Sequence, residues 1–274
     1  MDKRPIGVFD SGVGGLTVLR EIIRQVPNED FIYFGDTARF PYGTKNLADV
    51  KNYAIKIAQF LVNKKVKLLV VACNTASAAA LETLRQSFSI PVTGVIEPGA
   101  RAALKFTRTK KIGVIATDST VSSQSYDKAV NKINPDVRLL SVAASPLVEF
   151  IEKGILGGDD LKEKIRNYIA PLVKESIDVL ILGCTHFPLI RSQISRCCNA
   201  DLALSGRVRV ISSALETAKD VKKILTEKYL KNSPDNRSSK IFFETGNDSK
   251  FLEIGRLFLG DKIREVIKID PGTM

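Results

Sequence analysis

Histidine occurs once in this chain of 274 residues, and cysteine only four times. Four cysteines do not make the dense disulfide framework of a small secreted domain. Cys197 and Cys198 are adjacent, so a bridge between them would be strained, and they read as structural or bystander residues. One histidine with scattered cysteines also fails the ligand pairing of a zinc site, so no metal is expected. Long hydrophobic runs are missing too. The longest charge-free apolar-rich stretch, Leu68 to Leu81, has 14 residues and contains Asn74, Thr75 and Ser77, whereas a membrane span needs roughly 20. The opening MDKRPIGVFDSG has no apolar run of signal-peptide length, so a cytoplasmic location is expected. No low-complexity block appears, which excludes general disorder.

Negative charge is the scarcer sign: 30 Asp and Glu against 41 Lys and Arg, a net +11. Such a balance fits a nucleic-acid partner or an anionic small molecule. The basic residues are spread in short clusters such as Lys110-Lys111 and Lys222-Lys223, so a solvated basic surface is preferred and nucleic-acid binding is not expected. Neither nucleotide fingerprint is present. Asp10-Ser11-Gly12-Val13-Gly14-Gly15 has threonine where the dinucleotide motif needs its last glycine, and no phosphate loop ending in Gly-Lys-Ser/Thr occurs.

What is present is alternation. Apolar runs at Ile6–Phe9, Phe31–Phe34, Leu68–Ala72, Pro91–Val95, Ile112–Ala116, Val137–Val142 and Val179–Leu182 read as strands, with helical spacing between them. The pattern predicts an α/β fold with mainly parallel sheets buried on both faces. It also repeats. Ile6-Gly7-Val8-Phe9 is echoed by Ile112-Gly113-Val114-Ile115, and Val70-Val71-Ala72-Cys73 by Ile181-Leu182-Gly183-Cys184, at offsets of 106 and 111. Two similar α/β units follow. After Val208 the chain reads as strand, helix, a polar surface turn at 231–236, strand, helix and a last short strand.

Cys73 and Cys184 each follow a buried-strand pattern and precede an expected helix. Ligands of open α/β sheets bind beyond the carboxyl ends of the strands. A helix start there favours the thiolate. A buried inert cysteine is the commoner fate, but Asn74-Thr75 and Thr185-His186 surround these two with hydrogen-bonding groups. His186 lies two positions from a candidate thiol and is placed to tune it or relay a proton. The Gly-rich turn at 10–15 and the loop Pro41-Tyr42-Gly43 can approach a small ligand closely. Two cleft-facing thiols that do not pair suit removal of a proton from a tetrahedral carbon by one and its return from the opposite side by the other.

These motifs carry a resemblance. Asp10-Ser11-Gly12-Val13-Gly14-Gly15-Leu16, Pro41-Tyr42-Gly43, Cys73-Asn74-Thr75-Ala76 and Gly183-Cys184-Thr185-His186 occur in the order found in bacterial glutamate racemases, as do Gly113-Val114-Ile115-Ala116-Thr117 and Ser213-Ala214-Leu215-Glu216-Thr217. The resemblance spans essentially the whole chain. It implies two pseudo-symmetric α/β domains, residues 1–96 with 207–274 and residues 97–206, and an active site in the cleft between them. It implies cofactor-independent interconversion of L- and D-glutamate for peptidoglycan precursors, with Cys73 deprotonating the D-isomer and Cys184 the L-isomer. Asp10 and His186 would assist, with Glu149 a partner on the Cys184 side. Asp10, Ser11, Pro41, Tyr42, Gly43, Asn74, Thr75, Thr185 and His186 would contact substrate, with Thr117 and Thr120 as further contacts. A homodimer is implied. Some members carry an N-terminal extension tied to activation by a peptidoglycan precursor. The first motif here begins at residue 10, so that activation is not expected. The readings to be separated from this one are an aspartate racemase or other racemase of the superfamily, a pyridoxal-phosphate racemase, and a basic nucleic-acid-binding protein.

Overall fold

The computed structural model describes residues 1–200 and 207–273. The chain divides into two compact units, Met1–Val95 with Ala214–Met274, and Ile96–Ser213.

The first unit is built on a six-stranded sheet. Its strands are β1 (Ile6–Asp10), β2 (Phe31–Gly35), β3 (Leu68–Val71), β4 (Val92–Gly94), β9 (Lys240–Glu244) and β10 (Ile267–Lys268). The order is β10-β9-β2-β1-β3-β4, and every neighbouring pair is parallel. β1, β2 and β3 are buried along their whole length, as continuous apolar runs require when helices cover both faces. Helix Leu47–Asn63 starts where the Asn46 side chain accepts the Ala48 N–H at 2.8 Å, an N-cap that satisfies an otherwise orphaned donor. Its buried residues Val50, Ala54, Ile57, Ala58 and Leu61 fall on one helical stripe.

The second unit carries a four-stranded sheet of β5 (Lys111–Ala116), β6 (Arg138–Ala143), β7 (Val179–Gly183) and β8 (Arg209–Ser212). Its order is β6-β5-β7-β8, again parallel throughout. This repeats the arrangement β2-β1-β3-β4 strand for strand. The sequence echoes fall on equivalent strands, β1 with β5 and β3 with β7. Gly113 shows why a glycine recurs in the echo. A Cβ there would lie 2.6 Å from Cδ1 of Ile177, so a side chain would require that isoleucine to shift.

Two expectations move. The boundary placed at 206/207 falls at 213/214, because β8 pairs with β7 from Val179↔Arg209 to Leu182↔Ser212 and so completes the second sheet. The polar turn at 231–236 is less superficial than its composition implies. Asn232 is buried, and its backbone N–H donates to Glu29 at 2.9 Å. No described helix is long and apolar enough to cross a membrane.

In both sheets successive strands are laid down first to one side and then to the other. The reversal falls between β1 and β3 in the first unit and between β5 and β7 in the second. Crevices form beyond the carboxyl ends of strands at such points. Asp10 ends β1 and Cys73 lies two residues beyond β3, while Thr117 follows β5 and Cys184 follows β7.

Candidate active site

In the first unit Cys73 is the N-cap of helix Asn74–Ser87, and its Sγ accepts the Ala76 N–H at 3.4 Å. The thiol is 5% exposed and lies 3.8 Å from Ser11 Oγ. A free backbone donor and the positive end of a 14-residue helix both favour charge on that sulfur. Asn74 and Thr75 open the helix and are buried beside it. Asp10 is fully buried, and its Oδ2 accepts the Gly12 N–H at 3.0 Å. That turn folds back so tightly that a Cβ on Gly15 would sit 2.5 Å from Asp10 Cβ and 2.6 Å from Tyr33 Oη. Tyr33 donates to the Gly12 carbonyl at 2.7 Å. Burial, with the nearby charges of Asp10 and Cys73, holds its hydroxyl protonated well above the usual phenol range.

Tyr42 shares a buried cluster with Cys73, and its hydroxyl donates to Asp36 at 2.5 Å. The side chain therefore anchors the loop. Pro41 is exposed and Gly43 buried. Asp36, at the end of β2, is the hub: it also accepts from Thr245 Oγ1 at 2.8 Å and from Arg39 at 3.2 Å. Thr37 donates to Glu244. Strand β9 thus braces the loop from the far end of the sequence, a role no local motif discloses.

The second unit arms its thiol differently. Cys184, 8% exposed, lies 3.8 Å from Nδ1 of His186, whose Nε2 is 2.7 Å from Glu152 Oε1. Burial opposes a charge on the ring, but hydrogen bonds and attraction from Cys184 and Glu152 outweigh it, and the His186 pKa is pushed up to about 10. The imidazolium therefore donates to sulfur on one side and to carboxylate on the other at neutral pH. Glu149, expected in this place, is exposed one turn earlier on helix Pro146–Glu152. Positions three apart share a helix face, so the expectation found the face and missed the residue. Nor does Cys184 cap an α-helix. A 3-10 turn spans Phe187–Ile190, and the α-helix begins only at Arg191. Pro188 lies in the first turn of that 3-10 segment, a position where its missing N–H costs nothing.

Thr117 and Thr120 lie beside each other, hydroxyl to hydroxyl at 3.0 Å, at the end of β5. Thr185 is buried next to Cys184. Tyr126, which no motif marked, lies under this half-site. A Cβ on Gly183 would come within 3.1 Å of its ring. Burial and the charge of Cys184 raise its hydroxyl pKa far above the usual range. All four cysteines are free thiols. Among the described residues no group of three or more His, Cys, Asp or Glu gathers as a metal site.

Parallel α/β units, each with a buried thiol just beyond a central strand and neither with a nucleotide fingerprint, define the class as an α/β enzyme. The particular family follows from comparison with known proteins. Residues 6–221 match the Asp/Glu/Hydantoin racemase family, and the chain belongs to it. It is 45% identical to the glutamate racemase of Geobacter metallireducens over 98% of this chain and 97% of that one. A glutamate racemase isoform from Bacillus anthracis superposes with a TM-score of 0.90 at 41% identity, covering 98% of each chain. The Francisella tularensis glutamate racemase, solved in complex with D-glutamate, gives 0.92 at 34% identity over the whole of both chains.

Proposed function

We propose that the protein is a glutamate racemase that interconverts L- and D-glutamate with two cysteines and no cofactor. The supporting observation is the equivalent placement of two buried thiols, each beyond the carboxyl end of the strand that follows its sheet's reversal point. On this reading one thiolate takes the α-proton, so that a C–H bond breaks and an S–H bond forms. The opposite thiol then delivers its own proton to the other face of the carbanion. The proton count is unchanged, and the enzyme is left with its proton on the first sulfur.

Free cysteine has a pKa of about 8.5, far below that of an amino-acid α-carbon. Most of the barrier must therefore be met by stabilising the carbanion-like transition state. Main-chain N–H groups at 13–15, 42–43 and 74–75, with the hydroxyls of Ser11, Thr75, Thr117 and Thr185, would supply preorganised donors for the substrate carboxylates. Asp10 is the acidic group on the Cys73 side. His186, charged and held by Glu152, polarises Cys184. The proposal extends to a homodimer in the cytoplasm that supplies D-glutamate for peptidoglycan.

Circular dichroism of L-glutamate incubated with the pure protein and no added cofactor tests the activity. The expected result is complete loss of optical rotation, with solvent deuterium at the α-carbon of the product. Turnover of aspartate in preference to glutamate, or product that keeps its original hydrogen, would refute the reading.

A further inference from the structure

We propose a second ligand site in the unit Ile96–Ser213, at the end of its sheet opposite Cys184, that binds a small molecule through a diphosphate or similar polyanionic group. A cavity of about 580 Å³ opens there, within the size range of small-molecule pockets. Its floor is the amino-terminal end of the strands: Asp178 immediately precedes β7, and Arg209 begins β8. β7 has five residues, so the cavity lies about 17 Å along the sheet from Cys184. It is therefore separate from the thiol half-site of the same unit.

Among the described residues the lining is mostly of one sign. Arg108, Arg191, Arg207 and Arg209 stand around one carboxylate, Asp178. Asp178 offsets one of these charges, and its oxygens are turned to other donors. It already accepts from Thr107 Oγ1 at 2.7 Å, from Arg108 N at 2.5 Å and from Thr109 N at 2.8 Å. Two of the guanidiniums, on exposed residues, have a defined contact. Arg209 lies flat on Phe106, 3.5 Å from the ring centroid, and Arg191 donates to the Val210 carbonyl at 3.0 Å. Gathering four like charges around one hollow is self-repulsive unless an anion joins them. Planar, five-donor forks match the oxygens of a diphosphate, and a defined contact beforehand reduces the entropy lost on binding. A concave cavity favours a small polyanion over the extended backbone of a nucleic acid. The opposite face of helix Arg191–Cys198 carries a second hollow with Lys162, Arg166 and Arg196, but Asp159 lies at its rim. It serves as an internal control.

Calorimetric titration of the full-length protein with sodium pyrophosphate at 150 mM NaCl, with saturating D-glutamate present, tests the proposal. Expected are saturable 1:1 binding, at least tenfold weaker binding of inorganic phosphate, and at least tenfold loss of pyrophosphate affinity in the double variant Arg191→Gln/Arg209→Gln. Arg166→Gln/Arg196→Gln should bind as the unaltered protein does. Arg191 also holds a main-chain carbonyl, so Arg108→Gln/Arg207→Gln provides a second variant that leaves that bond in place, with the same expected loss. Absence of saturable binding, equal affinity in both cavity variants and the unaltered protein, or tighter binding of a short DNA duplex through the same arginines would overturn it. None of these outcomes depends on racemase turnover.

Discussion

The two thiols occupy the same topological position yet have different surroundings. Cys73 sits on a helix start, where the polarising groups are a backbone N–H and a dipole that carry no titratable proton. Cys184 is followed by a 3-10 turn rather than an α-helix start, and an imidazole held by a carboxylate stands beside it. The repeated units therefore preserve where a group stands and not what stands beside it. The sheet decides the former. The half-dozen residues after the strand decide the latter: Asn-Thr-Ala-Ser-Ala-Ala continues as helix, whereas Thr-His-Phe-Pro does not. One thiol sits on a helix start and the other beside an imidazole.

The largest expected effect treats the halves as equals. Cys73→Ser and Cys184→Ser should each lower racemisation about 10³-fold, within the range of a lost general acid or base, with the fold intact by circular dichroism. Rates alone do not distinguish the halves. L- and D-glutamate have equal free energy in water, so kcat/KM must remain equal in the two directions for every variant. Isotope effects do distinguish them. With Cys73→Ser the primary effect should grow for α-deuterated D-glutamate, and with Cys184→Ser for the L-isomer. A serine variant that racemises within tenfold of the unaltered enzyme would break the symmetry claimed for the two thiols.

An intermediate effect separates Glu152 from Glu149. Glu152→Gln keeps a hydrogen-bond acceptor but removes the charge beside His186. Loss of a charge-assisted bond of about 1.5–3 kcal/mol corresponds to roughly 10- to 100-fold in rate. Glu149→Gln, on an exposed position of the same helix, should stay near unaltered activity. The reverse order in steady-state assays would restore Glu149 as the partner.

These outcomes bear on what a sequence discloses. The strands were legible because parallel sheets buried on both faces demand continuous apolar runs, and the echo of β1 by β5 and of β3 by β7 shows directly in those runs. Cys73, Asn74 and Thr75 were legible for the same reason, since they directly follow such a strand. Glu152 was not, because which of two carboxylates on one helix face meets His186 depends on how that helix docks. The Asp36 hub was hidden for a related reason: its partner Thr245 lies 209 residues away in sequence. The position of β8 was misassigned because a four-residue strand with two apolar residues does not reveal which sheet it joins.

The smallest effect probes the titrating half alone. His186 has its pKa raised to about 10 in the folded protein, against about 6.5 for an unperturbed imidazole. Its contribution to stability is therefore complete below about pH 6.5 and is lost as pH rises toward 10. Across that window the unfolded chain has released the proton and the native state retains it, so the unfolding free energy falls with pH. Urea denaturation between pH 6 and 10 should show a downward slope that His186→Asn removes. Glu149→Gln should leave the slope unchanged, because that carboxylate is exposed and an ordinary carboxylate releases its proton well below this window. Parallel slopes for the unaltered protein and His186→Asn would show that the His186–Glu152 pair is not a folded-state ion pair, and the contrast between the two half-sites would fail.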